Sequence, residues 1–517
     1  MPDPAATVHY AIEGAIAVLT IDNPPVNALG HAVRAALLDG LQRAASDPAV
    51  AAILLVGAGR TFIAGADIKE FGKPPQPPGL PEVIAEMDRI EKPLVAALHG
   101  SALGGGLETA LGCHYRLALA GAQVGLPEVK LGILPGAGGT QRLPRLVGAD
   151  KALALMTGGD FVPAVEALDL GIVDALSDET DVRAAGLAYT RRLLDEGAPI
   201  RRVRDLPPPA EDAAVFAAHR ARLETEARGL FSPFRIVDCV EAAARLPFDA
   251  AIAEERRLFQ QCLDSPQRAG LIHAFFGERA ATKIDGQAKD VAPQPIEAVL
   301  VIGPDDGAHR LAKQLEGLGL AAARAADVDA GDAALSPADL LLGVGAAGER
   351  LGAGGFAEIA GARAALAVPS AGRTVELLFG PDTAPGSLAA AAALAKRLKR
   401  LGVPVRAGYG SPAARLAAAY RRAGEALQGE GAAPAAIDAA AAAFGMARGP
   451  FGGIPESETT PDPAVADRLL DALAREGERL LADGAVARPV AIDIVAIETL
   501  GFPRWRGGPM FAVGLRE

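Results

Sequence analysis

Hydrophobic and polar residues follow distinct patterns along the first half of the chain. Residues 5–22 alternate with the period of two that is typical of a β-hairpin, and residues 30–45 carry apolar side chains at helical spacing. Uninterrupted apolar runs at 51–56 and 94–98 indicate strands that are buried on both faces. Buried strands that are separated by helices predict a multidomain α/β fold.

The second half repeats this alternation after a polar segment. Residues 285–295 are polar, and we predict a domain boundary there. An apolar run at 299–303 is followed by a turn and by a helical pattern at 308–318. Further strands are predicted at 340–342, 365–368 and 403–405. This pattern is typical of an open α/β sheet, and the chain after it is predicted to be helical.

One stretch, residues 92–145, joins a buried strand to a glycine-rich turn and two acidic residues. Three consecutive glycines, at 104–106, precede a helical segment. Glycines at such a junction let a ligand approach the backbone and leave N–H groups free to donate. Glu108 lies in the first turn of this helix, and Glu128 follows in a Gly-Leu-Pro-Glu turn. Two carboxylates beside unpaired backbone donors suit acid–base chemistry on a carbonyl compound.

Composition narrows the class of protein. A chain of 517 residues is longer than one that folds around a single hydrophobic core, so two to four domains are expected. The net charge of −12 and the lack of a basic block argue against nucleic acid as a partner. Neither a membrane span nor a secretory signal is expected from the apolar runs. Cys113, Cys239 and Cys262 lack metal-type spacing, which is typical of reduced thiols in a cytoplasmic protein.

Three motifs in the first half resemble the crotonase superfamily of enoyl-CoA hydratases and isomerases. In the order of that family they are FIAGADIKEF (62–71), HGSALGGGLETALGCHYR (99–116) and GLPEVKLGILPGAGGTQRLPR (125–145). The resemblance implies that the N–H groups of Ala66 and Gly105 form an oxyanion hole for a thioester carbonyl. It also implies that Glu108 activates the attacking water. Glu128 would protonate C2, or move a proton between C4 and C2 in an isomerisation.

The same resemblance implies contacts between further residues and an acyl-CoA substrate, with neither a cofactor nor a metal required. These residues are Ala64, Asp67, Ile68, Gly104, Pro127 and Gly136. Without the flanking motifs, three glycines before a helix indicate only a tight turn, and Asp67 indicates a helix cap. His99 and His114 are predicted to be packed and hydrogen-bonded rather than catalytic.

Three later segments resemble the multifunctional β-oxidation enzymes, in which a hydratase/isomerase half precedes an NAD-dependent 3-hydroxyacyl-CoA dehydrogenase half. They are SPQRAGLIHAFFGERAATKI (265–284), AIDAAAAAFGMARGPF (436–451) and GFPRWRGGPMF (501–511). By this resemblance we expect a monomer, with thiolase as a candidate partner. The implied domains are a crotonase core at 1–200, a helical extension and linker at 201–290, a reduced Rossmann-like domain at 291–407 and a shortened helical domain at 408–517.

The turn that should bind a dinucleotide departs from the family pattern. Residues 303–308 have Asp305 in the place of the middle glycine, and Asp306 follows it. A side chain at that position obstructs the pyrophosphate, and a carboxylate repels it. Asp327 remains at a suitable separation to meet a ribose.

The catalytic residues of the dehydrogenase family are also missing. The chain has seven histidines, and none follows His309. The resemblance implies that Leu366 stands in the place of the family's histidine, that Glu376 is its surviving partner and that Ala414 replaces an asparagine. We therefore expect a degenerate dehydrogenase half that transfers no hydride, and the altered turn argues against NAD binding without settling whether a nucleotide binds.

The leading hypothesis is an enoyl-CoA hydratase of fatty-acid β-oxidation, with Δ3,Δ2-enoyl-CoA isomerisation as a further activity. The expected fold is a crotonase-type spiral of ββα turns, a helical linker, a reduced Rossmann-like domain and a helical C-terminal domain. One alternative is a bifunctional enzyme that keeps NAD-dependent dehydrogenation through unusual residues. Another is an isomerase or lyase of a different acyl-CoA, with the second half as a scaffold.

Overall fold

The chain divides into two compact units, which are described separately. The computed structural model describes residues 7–67, 70, 73–284, 291–326, 340–353, 364–453 and 462–515. The first unit is Met1–Arg268 and the second is Ala269–Glu517. Of the predicted linker at 285–295, only the part from residue 291 is described. No described helix combines the length and the apolar character that a bilayer crossing needs.

Two sheets organise the first unit. Its strands are β1 (Val8–Glu13), β2 (Ile16–Ile21), β3 (Ala52–Gly57), β4 (Leu94–Leu98), β5 (Ser101–Leu103), β6 (Tyr115–Leu119), β7 (Gln123–Gly125), β8 (Phe161–Pro163) and β9 (Ala175–Ser177). The larger sheet has the order β1-β2-β3-β4-β6-β9, and the smaller one has the order β5-β7-β8. In the larger sheet β1 pairs antiparallel with β2, as the predicted hairpin requires, and the other pairs are parallel.

The apolar runs of the sequence form strands that are buried on both faces, as predicted. In β3, Ile53 and Leu55 pack into one hydrophobic cluster, whereas Leu54 and Val56 pack into another on the opposite face. All five residues of β4 are buried as well. Parallel strands covered on both faces lose the alternation of polar and apolar residues, which explains the continuous runs.

Helices cover the sheets of the first unit and extend beyond the motif-bearing segment. They are α1 (His31–Ser46), α2 (Leu80–Met87), α3 (Gly105–Gly112), α4 (Gly139–Val147), α5 (Ala149–Gly158), α6 (Ala164–Asp169), α7 (Val182–Asp195), α8 (Ala213–Glu226), α9 (Ser232–Arg245) and α10 (Phe248–Asp264). Phe216 of α8, Val237 of α9 and Leu258 of α10 share one core with β3 and β4. The helical extension therefore folds onto the motif-bearing part of the chain.

The second unit is an α/β sheet followed by helices, as predicted. Its strands β10 (Ala298–Ile302), β11 (Ala321–Ala325), β12 (Leu340–Val344), β13 (Ala364–Val368), β14 (Thr374–Phe379) and β15 (Leu401–Arg406) have the order β11-β10-β12-β13-β14-β15. Among the described strands of this unit, only β13 and β14 pair antiparallel. The helices are α11 (Pro266–Ala281), which begins in the first unit, α12 (Asp306–Gly317), α13 (Ala346–Ala353), α14 (Pro385–Arg397), α15 (Pro412–Gly429), α16 (Pro434–Phe444), α17 (Pro463–Ala482), α18 (Pro489–Val495) and α19 (Pro509–Ala512).

Candidate active site

The glycine turn before α3 brings the start of that helix against Glu128. Gly104 has a φ of +53°, in the left-handed region that favours glycine. A Cβ atom at Gly104 would lie 3.0 Å from Oε1 of Glu128. Every residue of α3 is buried, including Glu108 in its first turn. The turn therefore places a buried helix N-terminus and two carboxyl groups at one position in the fold.

Glu108 is held by the backbone of the loop that leads into α4. Its Oε1 accepts hydrogen bonds from the N–H groups of Ala137 at 2.7 Å and Gly139 at 2.9 Å. The side chain is only 3 % exposed. Burial raises the pKa of Glu108 to about 7, although the two N–H donors and the positive charge of Arg142 act in the opposite direction. At neutral pH this group is therefore poised between its acid and base forms.

Glu128 begins a short 3-10 turn, Glu128–Leu131, and it is buried with one oxygen unbonded. Its Oε2 has no hydrogen-bond partner among the residues that the structure describes. Burial, and then the negative charges of Glu108 and Glu255, raise the pKa of Glu128 well above its usual range. The shift favours the protonated form of Glu128 relative to an exposed carboxyl, and an unbonded buried oxygen leaves room for a substrate contact.

A third buried carboxyl, which the sequence analysis missed, completes the cluster. Glu255 of α10 is 1 % exposed, and its Oε1 accepts from the Gly138 N–H at 2.7 Å. Its Oε2 accepts from the Thr140 N–H at 3.2 Å and from the Thr140 hydroxyl at 2.5 Å. Burial and the charge of Glu108 raise the pKa of Glu255 to about 8.

A signal for Glu255 was present in the sequence. The buried face of α10 consists of Ala251, Glu255, Leu258 and Cys262, which recur at helical spacing. An acid within an apolar helical stripe is costly unless hydrogen bonds or charges compensate it. Such a residue is a candidate for a buried polar role.

The two predicted oxyanion donors lie close together. Ala66 sits beside Leu29 in an isolated parallel β-bridge. A Cβ atom at Gly105 would lie 3.6 Å from the backbone nitrogen of Ala66. Gly105 is the first residue of α3, so its N–H has no acceptor within the helix, and the helix dipole favours negative charge there. The arrangement suits a developing oxyanion.

Two predicted contact residues of the third motif lie near Glu128 and Glu108. Pro127 directly precedes Glu128, and its carbonyl accepts from the Lys130 N–H at 3.0 Å. Gly136 packs against Phe259, and a Cβ atom there would come within 2.5 Å of the Phe259 ring. Gly136 therefore lets α10 approach the loop that holds Glu108.

The first motif is described only in part. The Ala64 N–H donates to the carbonyl of Val26 at 3.1 Å, and Asp67 lies beside Gly30. Ile68, predicted to contact the substrate, lies outside the described residues.

A small cavity of about 90 Å³ adjoins the loop between Gly136 and Gly138, and Glu255 and Arg142 also line it. Arg142 is buried and donates to Asp88 at 2.7 Å. The Nε and Nη1 atoms of Arg142 have no hydrogen-bond partner within the described part of the chain.

The two histidines that flank the glycine turn are hydrogen-bonded to the backbone, as predicted. His114 is fully buried, and its Nδ1 accepts from the Leu94 N–H at 3.1 Å. Burial lowers the pKa of His114 to about 4, so the imidazole is neutral at physiological pH. Nε2 of His99 contacts the carbonyl of Gly59 at 3.1 Å.

The second unit has its own buried carboxyl at Glu376. Its Oε1 accepts from the hydroxyl of Ser411 and from the N–H of Ala413, both at 2.9 Å. Its Oε2 has no hydrogen-bond partner among the described residues. Burial raises the pKa of Glu376 to about 7.

The resemblance sets Leu366 in the place of the family's histidine, and the strand register shows which residue lies opposite Glu376. The β13–β14 register pairs Ala367 with Glu376, and Leu366 with Leu377. Because side chains alternate along a strand, Leu366 points to the opposite face, where it packs with Val375. The residue paired with Glu376 is therefore an alanine, and the titratable group whose charge acts on Glu376 is Glu349.

The turn before α12 is occupied by its own carboxylate. Asp305 is the N-cap residue, and its Oδ1 accepts from the Ala308 N–H at 3.0 Å. A bound phosphate would compete for the same helix N-terminus. Asp327, predicted to meet a ribose, lies outside the described residues.

Comparisons with known proteins agree with the motifs of the first half. The enoyl-CoA hydratase/isomerase family model matches residues 11–207. The peroxisomal bifunctional enzyme of Danio rerio is 41 % identical over 302 residues, which cover 57 % of this chain and 42 % of that protein. The human peroxisomal bifunctional enzyme is 40 % identical over 304 residues, with the same two shares. The chain thus spans less than half the length of the curated relatives it matches.

Two further findings extend the comparison. A glyoxysomal fatty acid beta-oxidation multifunctional protein of Cucumis sativus is 36 % identical over 302 residues, covering 56 % of this chain and 42 % of that protein. Among solved structures, an enoyl-CoA hydratase/isomerase from Pseudoalteromonas atlantica is 26 % identical with a TM-score of 0.39, covering 52 % of this chain and 96 % of that one.

Proposed function

We propose that this chain hydrates 2-enoyl-CoA esters. The premise is that residues 11–207 match the enoyl-CoA hydratase/isomerase family of the crotonase superfamily. The product is the 3-hydroxyacyl-CoA, and the reaction belongs to fatty-acid β-oxidation. One observation carries the proposal: two buried carboxyls with raised pKa values, Glu108 and Glu128, lie at a glycine turn beside a helix N-terminus.

Hydration adds the oxygen of water to C3 and a proton to C2. Ionised Glu108 accepts a proton from the water as its oxygen attacks C3. Protonated Glu128 gives its proton to C2, so the two carboxyls exchange roles, and proton transfer between them or with solvent restores the starting state. The raised pKa values support this division, because Glu108 titrates near pH 7 and so can act as a base, while burial and the neighbouring charges favour the proton on Glu128.

The thioester oxygen becomes negatively charged as C3 is attacked. The backbone N–H groups of Ala66 and Gly105 would donate to it, and the start of α3 adds its partial positive charge. Removing one such donor typically costs about a hundredfold to a thousandfold in rate. Isomerisation needs the same oxyanion, with Glu128 moving a proton between C4 and C2.

We propose that the second unit carries out no hydride transfer and binds no NAD. Support comes from Asp305, which occupies the start of α12, and from Ala367, which stands opposite Glu376. The sequence also has no histidine after His309 to accept the hydroxyl proton of a 3-hydroxyacyl-CoA. The bifunctional names of the relatives describe those longer proteins.

The compartment and the assembly remain predictions. Cytoplasmic location was expected from the sequence, whereas the relatives are named for peroxisomes and glyoxysomes. A peroxisome-type compartment is therefore the alternative that these names favour. A monomer with thiolase as a candidate partner follows from family resemblance alone.

A single assay tests both halves of the proposal. The full-length protein is given crotonyl-CoA or a medium-chain 2-enoyl-CoA together with NAD+, and loss of the enoyl absorbance and gain of NADH are followed in the same sample. We expect hydration without NADH.

The matched variant is Glu128→Gln, which keeps the size of the side chain and removes its exchangeable acid. Loss of hydration in this variant supports the assigned site. Formation of NADH by the wild type contradicts the proposal for the second unit. Absence of hydration contradicts the proposal for the first unit.

A further inference from the structure

Four consecutive backbone amides are shared alternately between two buried carboxylates. Glu108 accepts from the N–H groups of Ala137 and Gly139, and Glu255 accepts from those of Gly138 and Thr140. The amides belong to the loop that becomes α4 at Gly139. Because the same four residues serve both carboxylates, displacement of one set of hydrogen bonds moves the donors of the other set.

We propose that Glu255 is a positioning residue for hydration: it anchors this loop so that the loop holds Glu108 in place, and its charge faces the other two carboxyls. The inference rests on the proposed function of the first unit. Glu255 comes from α10 in the helical extension, 147 positions after Glu108 in the sequence. The extension thereby becomes part of the catalytic arrangement rather than only its cover.

Packing leaves Glu255 little freedom to take another partner. Phe259 lies one helical turn after Glu255 on α10, and its ring packs against Gly136. The ring is so close that a Cβ atom at position 136 would clash with it. Glu255 itself is 1 % exposed, and the hydroxyl of Thr140 donates to it in addition to the two amides. A carboxylate with three donors and tight packing behind it is held in one geometry.

The charged groups around Glu255 come from several elements. Arg142 of α4 pairs with Asp88 at 2.7 Å, and Arg204 pairs with Asp88 at 3.3 Å and with Asp249 at 2.7 Å. Arg256 lines the cavity of about 90 Å³ that Glu255 and Arg142 also line. Among the described residues, Cys239 of α9 and the two proposed catalytic carboxyls also interact electrostatically with Glu255. Arg142 and Arg204, which line this cavity with Glu255, are thus paired with aspartates. The negative charge that Glu255 carries once it ionises, near pH 8, then acts on the other acids.

The charge of Glu255 should shift the pH profile of hydration in a direction that an assay can detect. The negative charge of Glu255 raises the pKa of Glu128, which must stay protonated to deliver a proton to C2. Removal of the charge lowers the pKa of Glu128. The alkaline limb of the hydration pH profile then moves to lower pH, since Glu128 loses its proton earlier.

The test compares three variants of the full chain. Glu255→Gln removes the charge and one acceptor, and Glu255→Asp keeps the charge but shortens its reach. Glu254→Gln is the matched control, because Glu254 lies on the same helix and pairs with Arg257 instead of the loop. We expect Glu255→Gln to lose about a hundredfold in kcat with little change in KM, and to shift the alkaline limb to lower pH.

Glu255→Asp should lose kcat while its alkaline limb stays near that of the wild type, and Glu254→Gln should match the wild type in both readouts. A purely structural role for Glu255 would lower the folded fraction without moving the limb. If Glu255→Gln has wild-type kcat and an unmoved limb, the inference is overturned. If Glu255→Gln does not fold, wild-type kcat in Glu255→Asp overturns it equally.

Hydrogen exchange separates this inference from the proposed function. Exchange at amides 137–140 is measured by mass spectrometry in the wild type, Glu255→Asp and Glu254→Gln, and it needs no activity. Faster exchange in Glu255→Asp alone supports the anchoring role even if the wild type hydrates no tested enoyl-CoA. Equal exchange in all three proteins overturns the anchoring role even if the wild type is an active hydratase.

Discussion

Both units contain a strand, a glycine turn and a helix, but the start of the helix is used differently in each. In the first unit Gly104 leads into α3, and Gly105 contributes an N–H with no acceptor in the helix. In the second unit Gly303 leads into α12, and Asp305 binds the amide of Ala308. No side chain caps the start of α3, whereas at the start of α12 the protein's own carboxylate takes one of the N–H groups.

The buried carboxyls repeat this contrast. Glu108 and Glu128 both lie at the glycine turn, and the charge of Glu108 raises the pKa of Glu128. The protonation states of the two carboxyls are therefore linked. Glu376 is equally buried, its opposite neighbour on β13 is Ala367, and the charge of Glu349 also raises its pKa. A raised pKa and a second acidic group therefore mark a candidate catalytic site only where a donor site for the substrate accompanies them.

The largest expected effect is a change in hydration rate, which should distinguish the buried carboxyl Glu108 of the first unit from Glu376 of the second. Glu108→Gln removes the proposed base, and we expect the hydration rate to fall by about a thousandfold or more. Glu376→Gln makes the same chemical change in the second unit and should leave hydration unchanged. Steady-state loss of the enoyl absorbance measures both. Equal losses in the two variants would contradict the division of roles between the units.

Glu376 should instead affect stability as a function of pH. Its pKa is about 7 in the folded chain and 4.5 in a model peptide, so between these values the folded state binds more protons. The stability of the second unit should then decrease as pH rises from about 4.5 to 7, by roughly 3 kcal/mol. Glu376→Gln should flatten this dependence. Calorimetric unfolding at a series of pH values tests it, and an identical slope in both proteins would refute the expectation.

The two glycine turns should also differ in their tolerance of alanine. A Cβ atom at Gly106 would lie 2.2 Å from the Ile63 carbonyl oxygen, whereas at Gly307 the nearest atom is Oδ1 of Asp305 at 3.0 Å. We expect Gly106→Ala to destabilise the first unit by about 1–3 kcal/mol, because the backbone must shift. Gly307→Ala should have a much smaller effect, since a side chain can adjust. Denaturant unfolding compares the two, and similar losses would show that the first turn can relax.

The smallest effect concerns the cap of α12. Asp305→Ala removes the side-chain acceptor for the Ala308 N–H and should lower the unfolding free energy by about 1 kcal/mol. NAD+ should not raise the melting temperature of the wild type. Thermal unfolding with and without NAD+ measures both expectations. Stabilisation of the wild type by NAD+ would show that the second turn still accepts a dinucleotide.

Much of the fold was predictable because its signals are local. The run at 94–98 became strand β4 with the same limits, and the alternation at 5–22 became the hairpin of β1 and β2. Burial on both faces leaves a continuous apolar run, and this pattern depends only on the residues within the strand.

The sequence was least informative where the answer depended on partners far away in the chain. The resemblance sets Leu366 in the place of the family's histidine, and only the β13–β14 register shows that Ala367 is the residue paired with Glu376. A shift of one residue moves a side chain to the other face of the sheet, and no local pattern fixes that register when both faces are apolar.

The sequence by itself determined the buried strands, the glycine turn with Glu108 and Glu128, and the lack of histidines after His309. Only the tertiary structure decided that Glu255 joins those two carboxyls and that four amides divide between Glu108 and Glu255. The reason is physical. Strands and turns follow from neighbours along the chain, whereas burial, charge and hydrogen-bond donors at a carboxyl come from segments that only folding brings together.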